Sequence, residues 1–108
     1  MHALVITLKF TDITPSTTAQ IEALASDMAA IDGLLSTYWL RGSSQVTLVQ
    51  TFESHAALDA YLASRRFAAL SRIPGCQDVF AAHYDVATHL NALSDLREVA
   101  SARDLIPV

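Results

Sequence analysis

The chain of 108 residues holds a single cysteine, Cys76, so no disulfide can close within it and no cysteine-based metal centre is available. A lone thiol is the pattern of a reducing compartment, and a cytoplasmic location is expected. No apolar run approaches the ~20 residues needed to span a bilayer. Lys9 follows the first apolar stretch instead of preceding it, the reverse of a secretory signal. Positive charge is scarce: seven Lys and Arg against eleven Asp and Glu give a net charge of −4, with Arg65–Arg66 the one adjacent pair. That balance argues against nucleic acid or an anionic membrane as partner. G-x-S-x-G, P-loop and G-x-G-x-x-G motifs are absent, so hydrolase, nucleotide and dinucleotide functions have no support. Repeats and low-complexity linkers are absent too. The chain reads as one domain over residues 1–108, with a core over about 3–87 and a helical tail over 88–108.

What is present is apolar. Hydrophobic residues make up 52% of the chain and charged residues 17%, an excess that favours burial against a second copy. Ala3–Phe10 has the β-branched and large apolar content of a strand. Thr14 suits a helix N-cap with Pro15 at the first helical position, and Ile21, Leu24, Ala25, Met28 and Ile31 recur at helical spacing. Gly33 fits the left-handed position that ends that helix. Leu34–Leu40 and Gln45–Phe52 form a hairpin across the Arg41–Ser44 turn. Ser54 caps a second helix, Arg65–Arg72 continues as a helical piece, and Pro74–Gly75 breaks it. Val79–Val86 is the fourth strand and Thr88–Arg103 a terminal helix.

The order β-α-β-β-α-β predicts an α+β, ferredoxin-like fold: a four-stranded antiparallel sheet with helices on one face. In the second strand neither alternate set, Leu34/Ser36/Tyr38/Leu40 or Leu35/Thr37/Trp39/Arg41, is a solvent face. A partner subunit or a bound ligand is expected to cover it, and sheet-to-sheet homodimerisation is the economical solution.

The run GLLSTYWLRG, a strand ending in Phe52, AYLASRRFAAL and a strand closing on Tyr84-Asp85-Val86 together resemble the dimeric α/β-barrel superfamily. The likeness is in particular to the YdhR-type monooxygenases, relatives of the antibiotic biosynthesis monooxygenases. The family's helix-end glycine and following segment correspond to Gly33, Leu34, Leu35, Ser36, Trp39 and Leu40. Its "AYL" helix corresponds to Ala60, Tyr61 and Leu62, its Phe-Ala pair to Phe67 and Ala68, and its closing triplet to Tyr84, Asp85 and Val86. On the third strand the chain departs from the family, with Val46-Thr47-Leu48-Val49-Gln50 in place of Gly-Gly-hydrophobic-Tyr-Leu. The resemblance implies a dimeric barrel that oxidises aromatic or polyketide-like substrates with O₂ and no metal or flavin.

Trp39 could stack on such a substrate and donate from its indole N–H, or it could simply pack in the core or at an interface. His83 could act as the base, with core or interface hydrogen bonding as its other role. Thr7, on the neighbouring first strand, is expected to share the face of His83. Tyr38 would shape the pocket, Arg41 or Arg66 would attract an anionic oxygen, and Tyr61 and Phe67 would line a space between helices and sheet or pack there. His2, His55 and His89 show no i, i+4 histidine pair, so no metal ligand set is expected. Haem degradation is disfavoured, because Thr7 stands where haem-degrading relatives carry an asparagine. The expected activity is therefore a cofactor-independent monooxygenase. A non-catalytic homodimeric binder of a small hydrophobic or aromatic ligand, and a cyclase or isomerase of the same fold, are the alternatives.

Overall fold

The computed structural model describes residues 1–93. Its elements are β1 (His2–Phe10), α1 (Pro15–Asp27, extended by one 3₁₀ turn over Met28–Ala30), β2 (Leu34–Arg41), β3 (Gln45–Phe52), α2 (His55–Leu62), α3 (Arg65–Leu70), β4 (Cys76–Asp85) and α4 (Thr88–Leu93). Beyond Leu93, the expected helix to Arg103 lies outside the described residues. The four strands form one antiparallel sheet in the order β2-β3-β1-β4, the ferredoxin-like α+β arrangement. Among the described residues no helix is long and apolar enough to cross a membrane.

Local chemistry places each element. Thr14 caps α1 reciprocally with Thr17: each hydroxyl accepts from the other's backbone N–H at 3.2 Å. Thr17, itself buried, donates onward to the Pro74 carbonyl at 3.0 Å, which ties the start of α1 to the loop before β4. Ser54 and Ser64 cap α2 and α3. Gly33 adopts φ +78°, and a Cβ there would sit 2.5 Å from that of Ala57.

Strand alternation then builds the core. Leu4, Ile6, Leu8 and Phe10 of β1 share a face with Val46, Leu48 and Phe52 of β3, and Met28, Ile31, Leu58, Tyr61 and Leu70 pack onto them. On β2 the pattern changes midway. Leu34 pairs with Phe52, but Ser36 already pairs with Thr51, so a bulge switches the parity of the strand. Past it, Thr37, Trp39 and Arg41 oppose Gln50, Leu48 and Val46 on the helix side, while Ser36, Tyr38 and Leu40 lie on the open side. The missing solvent face in GLLSTYWL is thus partly the signature of a bulge. The fourth strand starts three residues earlier than expected, because Cys76 and Asp78 pair with Phe10 and Lys9 of β1 and carry Gln77 between them as a bulge.

Candidate active site

Trp39 is half-buried on edge strand β2 and packs against the core from the helix side. It walls a cavity of about 210 Å³ between α1 and β2. Ile13, Ile21, Ala25 and Val46 line it, and Thr18, Glu22 and Arg41 border it chiefly through the apolar parts of their side chains, so the wall is almost wholly apolar. An apolar slot with a few polar groups is the usual composition of a small-molecule site.

Farther along the same face, polar groups are buried without partners. Gln50 is fully buried in the central strand β3, where every other residue on its side is apolar. Its Nε2 reaches Met28 Sδ at 3.5 Å, but its Oε1 has no hydrogen-bond partner. Thr37 Oγ1, on the residue opposite Gln50, is unpaired as well, and Tyr61 Oη makes no hydrogen bond of good geometry although the Gln50 amide lies close to it. Buried polar groups in proteins are almost always paired, so three on one face call for an explanation. Burial pushes the Tyr61 phenol above its ordinary value, with the Gln50 amide pulling slightly back, so at neutral pH Tyr61 is a neutral donor. Tyr61 also borders a second cavity of about 160 Å³ with Ile31, Ala57, Ser64 and Arg66. Arg66 is held there by Asp27, its Nε donating to Oδ2 at 2.8 Å, and that carboxylate raises the guanidinium further above its ordinary value. Phe67 stands edge-on to Tyr61 at 5.7 Å between ring centres.

The fold therefore brings Trp39 and Arg41 to one cavity and Tyr61 and Arg66 to another. His83 does not join them. It lies exposed on β4, the opposite edge strand, three inter-strand steps or roughly 14 Å across the sheet from β2. Two further expectations are corrected by register. Thr7 opposes Phe80 whereas His83 opposes Leu4, so Thr7 and His83 face opposite ways. Tyr38 projects to the open side, away from the Trp39 cavity. Half-buried Cys76 is an unpromising nucleophile, since burial and the neighbouring Asp78 raise its thiol pKa.

Sequence reasoning missed Gln50, Thr37 and Glu22. For Gln50 a signal existed: it is the one polar side chain on an otherwise apolar face of QVTLVQTF.

No protein-family model matches the chain, and no curated protein matches it. Solved structures do. SnoaB, a cofactor-independent oxygenase from Streptomyces nogalater, is similar with a TM-score of 0.64 at 12% identity, over 79% of this chain and 91% of SnoaB. A candidate antibiotic biosynthesis monooxygenase from Caulobacter crescentus gives 0.66 at 18% identity, over 80% and 89% of the two chains. One from Nitrosomonas europaea gives 0.66 at 10% identity, over 81% and 99%. The chain thus has the ferredoxin-like fold of the antibiotic biosynthesis monooxygenase structures, and these likenesses do not single out a YdhR-type branch.

Proposed function

We propose that the chain is a monooxygenase that uses neither metal nor flavin and acts on a small, electron-rich aromatic compound bound against Trp39. The observation that carries this is the apolar Trp39 cavity lying on the same sheet face as the unpaired Thr37, Gln50 and Tyr61. The solved structures with this fold, one of them named a cofactor-independent oxygenase, support it.

Size narrows the substrate. A cavity of roughly 150 Å³ accommodates benzene, so about 210 Å³ fits one substituted ring. Without a cofactor, the substrate must supply every electron that O₂ takes. A dihydroxylated ring can do so: it gains one oxygen atom and loses two hydrogens, which leave with the second oxygen atom as water, giving a hydroxyquinone. Exposed Glu22 and Arg41 stand at the edge of the cavity; there Glu22 takes the phenol proton, Arg41 holds the resulting phenolate, and Trp39 stacks on the ring. His83 has no part in this chemistry.

An oxygen electrode with a methylated hydroquinone tests it. Wild-type protein should consume O₂ and form the hydroxyquinone, and Trp39→Ala should lower the rate at least tenfold. Saturable binding without turnover would transfer the protein to the binding class, and turnover under nitrogen would make it an isomerase.

We also propose that two copies associate through the open sheet face. Tyr38, Leu40, Phe80 and Tyr84 project from it at 54–66% exposure, with Ala3, Val5, Val49 and Ala82 and the small polar Thr7, Ser36, Thr47 and Thr51 between them. Charge is confined to one end of that face, where Lys9 pairs with Asp78 and its Nζ lies 5.5 Å from the Phe80 ring centre. A nearly uncharged, aromatic surface of this kind suits a second copy of itself.

A further inference from the structure

At the end of the sheet remote from Cys76, three histidines from three elements converge. His2 begins β1, His83 and Asp85 lie two residues apart near the end of β4, and His55 opens α2. Topology forces the meeting. His2 pairs with Asp85 on one side and with Phe52 on the other, and α2 starts three residues after Phe52. Residues two apart on a strand share a face, so His83 and Asp85 both lie on the side of His2.

The spacing is that of a ligand set. His2 Nδ1 is 3.1 Å from Asp85 Oδ1 and 3.5 Å from His83 Nε2. All three donor atoms lie within 4.8 Å of one another. Around a tetrahedral zinc ion with bonds of about 2.0–2.1 Å, adjacent donors are about 3.4 Å apart. Hydrogen bonding alone accounts for the arrangement poorly. An imidazole nitrogen carries either one hydrogen or one lone pair, so His2 Nδ1 cannot donate to Asp85 and accept from His83 together. A cation at the common point would satisfy all three lone pairs.

His55 stands beside the group. Its ring centre is 5.0 Å from that of His83 and 5.4 Å from that of His2. Its Nδ1 contacts Asp59 Oδ2 at 3.0 Å, one helical turn on, which leaves Nε2 as the atom for a metal. A carboxylate behind a ligating histidine is the usual outer-shell device that fixes its ring.

We propose that His2, His83 and Asp85 bind a divalent transition-metal ion of the zinc class, and that rotation of the neighbouring His55 side chain, with Asp59 as its positioning residue, brings Nε2 in as fourth ligand. Asp85 is largely exposed, so the ion can exchange with solvent. The site clamps the start of β1, the end of β4 and the start of α2. It lies across the sheet from Trp39 and stands or falls independently of the oxygenase proposal.

The test is titration of the untagged full chain with zinc chloride by calorimetry, and with cobalt by visible absorption. Wild-type protein should take up one ion per chain, show tetrahedral cobalt bands and gain thermal stability. His2→Gln and His83→Gln should each weaken binding at least tenfold, and Asp59→Asn by about tenfold. Cys76→Ala should bind as wild type. Circular dichroism checks that the variants fold. On the wild-type chain alone, zinc should shift the NMR imidazole signals of His2, His55 and His83 together. Absence of saturable zinc binding, wild-type affinity in both histidine variants, or zinc binding lost in Cys76→Ala would overturn the proposal.

Discussion

Gln50 separates stability from function more cleanly than any other side chain in this protein. A buried amide with an unpaired oxygen costs free energy, and replacing it by an apolar group of similar shape is neutral or stabilising. Gln50→Leu should therefore leave urea stability unchanged or raise it by about 1 kcal/mol, while oxygenase turnover falls at least tenfold. A stabilised and fully active variant would remove Gln50 from the site. Tyr61 gives a pH test. Its folded pKa lies above the ordinary 10.0, so folding stability is complete below that value and is lost as pH rises through the folded one. Tyr61→Phe should flatten that alkaline decline, read as the thermal midpoint between pH 9 and 11 (about one unit either side of the ordinary tyrosine value). Among these residues Trp39 was legible in sequence as the only tryptophan in a strand without a polar face. Gln50 left a signal too, as the break in an apolar strand face, but one easily passed over because a glutamine in a strand is ordinarily placed on the solvent side.

The elements were easier to read than their connections. Thr14, Pro15 and Ser54 are caps whose chemistry is local, and each sits where that chemistry requires, whereas Gly33 takes its positive φ in the turn into β2, beyond Ile31, which caps the preceding 3₁₀ turn. The bulge in β2 is not local: it exists because Leu34 and Ser36 must pair with consecutive residues of β3. The histidine cluster is likewise written in register, with His83-x-Asp85 the sole hint along the chain. The separation of Trp39 from His83 follows from strand order, which puts β2 and β4 at opposite edges. Gly33 is the junction most exposed to substitution. Gly33→Ala combines a positive φ with a 2.5 Å approach to Ala57, and should destabilise the fold by about 2–3 kcal/mol in urea unfolding. Ser54→Ala, which removes only the cap on α2, should cost about 1 kcal/mol.

For the whole molecule, the sheet is a single layer with helices on one side. Tyr38, Phe80 and Tyr84 on the other side are the largest apolar groups the layer leaves bare. Light scattering should find a dimer at micromolar concentration, and the double change Tyr38→Glu and Phe80→Glu should yield a folded monomer. A wild-type monomer would show that this face is solvated.

The same one-layer construction makes the chain its own optical instrument. Trp39 is the only indole, and it looks into the cavity, while its neighbour Tyr38 looks out of the opposite side. A ring entering the cavity will quench or shift tryptophan emission, and assembly across the far face will act on tyrosine first. Two wavelengths can therefore follow occupancy and assembly separately, in unlabelled protein.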